Sequence, residues 1–276
     1  MKETAPVTIP RGILTFTVDS FANGIAFGRH RSEYQGDPRN YFSLRLRDES
    51  ELVPLRSRYM LHRDNPLHEL ERHLMRLSSQ GVLRSSHIYL GVTTDPFFPF
   101  EHKFDTSMKF LELFLRYTPG MLTVQTRSPL IVIAMPVFNR LGKHCSVTIG
   151  IETFREDMVR HYTPGLPSVR ERLKTAAALR RFGIETTLQA APVLPYGDWR
   201  ADAARFAEVL TEHADYIFLR PLSNGKKECE RRLRNTTLAK KLAMDRKFHY
   251  LRPNSGEPLR SAIEAIAPEK LKVPDR

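Results

Sequence analysis

Cysteine is scarce in this chain: only Cys145 and Cys229 occur among 276 residues. Two thiols cannot build the disulfide framework of a small secreted scaffold, so both are expected to be free, Cys145 in the core and Cys229 on a helix surface. Long apolar runs are also missing. None approaches the roughly 18 residues of a membrane-spanning helix, and Met1-Lys2-Glu3-Thr4 does not open a signal peptide, so a cytoplasmic location with no membrane partner is the expectation. No Gly-x-x-x-x-Gly-Lys-Ser/Thr or Gly-x-Gly-x-x-Gly segment is present, which removes support for phosphate-loop and dinucleotide chemistry. The nearest approach to a zinc motif, His68-Glu69-Leu70-Glu71-Arg72-His73, places its second histidine one residue late and off the shared helical face, and reads as a solvated helix. No metal site follows from it. Ser128 and Ser168 have no triad context, so no catalytic residue can be named.

What is present is an ordinary globular composition, 41% hydrophobic and 27% charged, with a net charge of +12. A surface of that sign attracts polyanions. The charge is uneven: Arg220 to Arg252 holds eleven Lys or Arg against three acidic residues. Short apolar runs alternate with segments of helical periodicity, the pattern of βαβ units around a parallel sheet. Strands are expected at Ile13 to Val18, His87 to Val92, Leu122 to Thr126, Ser146 to Ile151, Glu185 to Ala191 and Tyr216 to Leu219. Helices are expected at Pro66 to Leu77, Lys103 to Arg116, Leu130 to Leu141, Ser168 to Phe182, Trp199 to His213 and Lys227 to Lys247. The sharpest boundaries are Ser168 with Glu171, a capping box, and Gly183 just beyond Phe182. The fold class is therefore α/β, a partial (β/α)6 TIM-like barrel in one domain over 1–252. A long first loop spans 19–65 with an extra strand-like run at Tyr41 to Arg47, a basic helical segment spans 220–252, and a C-terminal tail spans 253–276.

Several segments together resemble a known family. Gly91-Val92-Thr93-Thr94-Asp95-Pro96-Phe97-Phe98-Pro99-Phe100-Glu101 is similar to a Gly-x-x-Thr-Asp-Pro-Tyr-Gln-Pro-x-Glu segment, and Gln125-Thr126-Arg127-Ser128 to a strand ending in Thr-Lys-Ser. Val147 to Thr153, Thr163 to Ser168, Arg170, Arg172-Leu173, Gly183-Ile184 and Ala191 to Pro195 continue the pattern. These residues resemble the radical SAM family of DNA repair photolyases and spore photoproduct lyases, over most of Phe16 to Pro195. The resemblance implies a barrel of the radical SAM type, S-adenosylmethionine (SAM) held near Thr94, Asp95, Thr126, Ser128, Thr153 and Arg172, and a 4Fe-4S cluster. For each residue the plainer reading is a turn or helix cap, with Gly91 either turning the chain or giving a cofactor room.

The chain departs from the family in the first loop. Aligning Arg29 and Glu33-Tyr34-x-Gly36 with the family's segment puts Asp19, Asn23 and Ala26 where the three cluster cysteines would stand. Such clusters take thiolates; Asp and Asn are poor substitutes and Ala offers nothing. The first expectation is thus a degenerate radical SAM protein, a pseudoenzyme that binds nucleic acid or a partner. Lys227, Arg231, Arg234 and Lys241 recur at helical spacing and can follow a DNA or RNA backbone, against the alternative of a solvated helix face. Trp199, Phe97 and Phe98 can stack on bases or pack in the core, and His30 is the one histidine placed to invite a role. A second reading keeps an active lyase with an unconventionally assembled cluster. A third recruits Asp95, Glu101 and Glu152 to acid-base or metal-assisted chemistry.

Overall fold

The computed structural model describes residues 14–21, 24–29, 60–62, 65–92, 95–97 and 101–272. In chain order its strands are β1 (Thr15–Phe21), β2 (Gly24–Arg29), β3 (Met60–His62), β4 (His87–Leu90), β5 (Met121–Thr126), β6 (Cys145–Gly150), β7 (Glu185–Ala190), β8 (Tyr216–Leu219) and β9 (Leu271–Lys272). The α-helices are α1 (Pro66–Ser79), α2 (Glu101–Arg116), α3 (Met135–Leu141), α4 (Glu156–Tyr162), α5 (Val169–Arg181), α6 (Ala203–His213), α7 (Lys227–Arg234), α8 (Thr237–Met244) and α9 (Glu257–Ile266).

One open sheet, ordered β3-β2-β1-β4-β5-β6-β7-β8-β9, carries the fold. From β1 through β4 to β9 every neighbour is parallel, while β2 and β3 extend the first edge antiparallel. Sequential parallel strands joined by helices make a partial barrel, as the alternating pattern predicts. Period-2 alternation gives the strands two unlike faces. Ile88 and Leu90, Leu122 and Val124, Val147 and Ile149, Leu188 and Ala190, and Ile217 and Leu219 form the aliphatic face buried in the core with the helices. The opposite, concave face is considerably more polar.

Local chemistry explains the helix ends. Ser168 caps α5 through a capping box: its hydroxyl accepts from the Glu171 N–H at 3.1 Å, and the Glu171 carboxylate accepts from the Ser168 N–H at 3.1 Å. Asn65 caps α1, accepting from the His68 N–H at 3.2 Å, and Pro66 takes the first helical position.

The structure corrects several expectations. β1 runs on to Phe21 and pairs with β2, so the start of the expected long loop is a hairpin, because Thr15 to Phe21 and Gly24 to Arg29 satisfy each other's backbone groups. Tyr41 to Arg47 and His30 lie outside the described residues. The expected C-terminal tail carries α9, which packs on α6 with Leu259 and Ile263 fully buried one turn apart, and β9, which pairs with β8. His73 belongs to the buried face of α1 with Leu70, Leu74 and Leu77, so that helix is not solvated all round. Cys229 is buried, its thiol directed at the Leu222 carbonyl at 3.7 Å.

Candidate functional site

The site expected from sequence lies at the C-terminal ends of the parallel strands, and its polar groups are bonded to one another. Asp95, after β4, is 8% exposed, and both its carboxylate oxygens are used. One accepts from the Phe97 N–H at 2.9 Å and the Thr126 hydroxyl at 2.7 Å, the other from the Arg127 N–H at 2.7 Å. Thr126 in turn accepts from the Ser128 N–H at 2.9 Å, and Ser128 caps the following 3₁₀ turn. The Thr153 hydroxyl donates to the Pro195 carbonyl at 2.8 Å and accepts from the Arg155 N–H at 3.2 Å. These four residues therefore tie strand ends together. Thr94 lies outside the described residues.

Gly91 follows the same logic. It sits at φ +91°, and a Cβ there would come within 2.5 Å of Pro96 and 2.6 Å of the Gln125 carbonyl. The glycine allows the β4 loop to close against β5; the space is filled by the chain itself, not left for a cofactor.

Beside this knot lies a buried ion triad. Glu152 is 1% exposed and Arg172 fully buried. Arg172 Nη1 donates to Glu152 Oε2 at 2.7 Å and to the Gly150 carbonyl at 2.6 Å, while Arg127 Nε donates to Glu152 Oε1 from the rim. Burial pushes the Glu152 pKa up, but Arg127 and Arg172 outweigh it and hold it down at about 2. The Nε and Nη2 of Arg172 have no hydrogen-bond partner among the described residues. An ionised carboxylate clamped by two guanidiniums is neither an acid nor a base at neutral pH, and both oxygens of Asp95 already accept hydrogen bonds. No group of three or more His, Cys, Asp or Glu among the described residues is arranged to hold a metal. The acid-base reading built on Asp95, Glu101 and Glu152 gains no assembled site; the side chain of Glu101 is outside what is described.

The concave face holds polar residues that sequence reasoning missed. His87 Nε2 and the Thr123 and Ser146 hydroxyls form a hydrogen-bonded row across β4, β5 and β6, each step 2.8 Å. By alternation Gln125, Thr148, Glu185, Thr187, Gln189, Tyr216 and Phe218 share that face, and Lys272 crosses it to Thr187 at 3.3 Å and Glu185 at 3.4 Å. The signal was available in Leu122-Thr123-Val124-Gln125-Thr126 and Cys145-Ser146-Val147-Thr148-Ile149, where polar and aliphatic residues alternate with period two.

A 4Fe-4S cluster does not fit the residues present. Asp19 and Ala26 are direct partners across the β1–β2 hairpin, and neither supplies a thiolate; Asn23 lies outside the described residues. Cys145 is on β6, where burial and then Glu185 push its thiol far up, and Cys229 is on α7, so neither stands at the first hairpin. The basic residues are split as well. α7 ends at Arg234 and α8 begins at Thr237, so Lys227, Arg231 and Arg234 do not share one helix with Lys241, whose amine donates to the His161 carbonyl at 2.8 Å. Thr236, capping α8 through the Ala239 N–H at 3.2 Å, is the local cause of the break. Lys227, Arg231 and Arg234 are exposed. Phe97 is fully buried and Trp199 half-buried, its indole donating to the Ser255 carbonyl at 2.8 Å, so both serve packing; Phe98 lies outside the described residues.

No protein-family model matches the sequence, and no curated protein does. Solved structures do match. Spore photoproduct lyase complexed with dinucleoside spore photoproduct superposes with a TM-score of 0.56 at 15% identity, over 80% of this chain and 70% of that one. A spore photoproduct lyase mutant with bound AdoMet and the same dinucleoside gives 0.55 at 15% identity, over 80% and 70%. No helix among the described residues is long and apolar enough to cross a membrane. The chain therefore has a fold similar to that of spore photoproduct lyase, an open α/β barrel.

Proposed function

We propose that this chain is a nucleic-acid-binding protein of the radical SAM fold that works without an iron-sulfur cluster and without radical chemistry. The observation that carries the reading is the first hairpin: where a cluster would need thiolates, Asp19 and Ala26 face each other in a strand ladder. Binding is supported by the exposed cations of α7, which follows β8 at the mouth end of the barrel, and by the net charge of +12. Two of the similar solved structures hold a dinucleoside, a ligand class consistent with that reading. SAM, bound in one of those structures, would here meet the amides and hydroxyl of the concave face, Gln125, Thr148 and Gln189, more readily than the strand-end residues already engaged with each other. If bound, it would be a ligand rather than a radical source. A cytoplasmic setting suits a nucleic-acid-binding protein with two free thiols.

Anaerobic iron-sulfur reconstitution followed by visible absorption and electron paramagnetic resonance tests the first half; a stoichiometric cluster signal would sink it. Salt-dependent binding to duplex DNA and RNA tests the second. Replacing Lys227, Arg231 and Arg234 with Ala should reduce the slope of log K against log salt by about 0.9 for each duplex phosphate that is no longer neutralised. An unchanged slope would remove α7 from the interface.

A further inference from the structure

The end of α8 breaks three local rules within five residues. Met244 is 82% exposed and Phe248 54% exposed, although large apolar side chains normally turn inward. Between them Arg246 adopts φ +57°, the left-handed conformation that favours glycine or asparagine. The backbone shows why that conformation is needed. The Lys247 N–H donates to the Leu242 carbonyl at 2.7 Å and the Arg246 N–H to Ala243 at 3.0 Å, the paired bonds of a Schellman cap whose αL position is usually glycine. An arginine there is strained where a glycine would not be. Departures from local preference collect where a surface has another use.

The corner is rigidly mounted. Leu238, Ala239 and Leu242 of α8 are buried on one side, and Tyr250 is fully buried on the other. Cations outnumber carboxylates around it: Lys240 lies one turn before Met244 on the same helical face, and Arg246, Lys247 and Arg252 follow along the chain. Two carboxylates are close. Asp245 is engaged by His161 Nε2 and the Tyr162 hydroxyl, both at 2.7 Å, and Asp198 lies near Lys247.

We propose that residues 244–248 form a stacking platform for an unpaired base of a single-stranded nucleic acid, with Phe248 as the stacking ring, Met244 beside it, and Arg246 and Lys247 on the flanking phosphates. This rests on the nucleic-acid reading above and adds a preference for single strands. An aromatic ring held out between cations is how sequence-tolerant strand binding is built, since every base has a face to stack. A lipid surface suits the corner less well, because the apolar side of α8 is already buried in the core and only two side chains would enter the headgroup layer.

The test uses the full chain with a fluorescein-labelled oligothymidine and the same strand annealed to its complement, read by anisotropy. Phe248→Ala should weaken single-strand binding by about fivefold or more, leave duplex binding unchanged and leave the salt slope unchanged. Phe248→Trp should restore affinity and show indole quenching on binding. Arg246→Ala should lower the single-strand slope by about 0.7. If Phe248→Ala binds oligothymidine as the wild type does, the platform is wrong while nucleic-acid binding stands. If the wild type binds neither oligonucleotide, both readings fall. Binding to phosphatidylserine vesicles that depends on Phe248, with oligothymidine binding insensitive to it, would assign the corner to lipid and overturn the proposal.

Discussion

Replacing Arg172 with Met should destabilise the barrel severely, and the size of the effect follows from the ion triad. The substitution keeps an unbranched apolar stem but strands Glu152, which is 1% exposed, with only the rim residue Arg127. Glu152 is held from its ordinary value of 4.5 down to about 2. At about 1.4 kcal/mol per unit this is on the order of 3 kcal/mol, the net of burial against both Arg127 and Arg172; the cost of removing Arg172 alone is set by breaking a buried pair, about 3–5 kcal/mol. For a chain of 276 residues that loss lowers the melting temperature by about 10 °C. The pH dependence has a fixed sign, because a carboxylate with a depressed native pKa stabilises the fold above its unfolded value. The contribution is complete above pH 4.5 and is lost as pH falls toward 2. In the variant the Glu152 pKa rises, so acid unfolding begins at higher pH. Circular dichroism melts across the acid range test this for wild type, Arg172→Met, and Arg172→Met with Glu152→Leu, which should recover part of the loss by removing the stranded charge. A melting temperature for Arg172→Met within about 2 °C of wild type, with the same acid midpoint, would refute the reasoning.

Two further substitutions probe the same framework. Gly150→Ala would place a Cβ 3.0 Å from Cγ and Nε of Arg127 and 3.1 Å from Glu152 Oε1, so Arg127 must give way; a loss of about 1–3 kcal/mol in urea unfolding is expected, and wild-type stability would show that Arg127 moves freely. Ser168→Ala removes the cap of α5 and should cost about 1 kcal/mol by the same measurement; because the Ser168 hydroxyl also holds the Glu171 carboxylate below its ordinary pKa, the difference from wild type should shrink as pH falls into the acid range.

The sequence by itself determined the alternation of strands and helices, because each rests on periodicity and capping within a few residues. Tyr216–Leu219 falls where its apolar run is, and α5 begins at the residue after Ser168 because that side chain satisfies an N–H three residues on. It also determined that no thiolate stands in the first hairpin. Partners remote along the chain were decided only by the tertiary structure. Strand-end threonines and aspartate looked like ligands for a cofactor because sequence shows polarity without showing what satisfies it; folded, Asp95 finds Thr126 and Arg127, and Glu152 finds Arg127 and Arg172. The basic segment looked like one helix because charge spacing continues across residues 235–236, where Thr236 restarts the backbone. The polar concave face and the exposed corner at 244–248 exist only once the sheet curves and α8 is docked, since which side of a strand or helix meets solvent is set by what packs on the other.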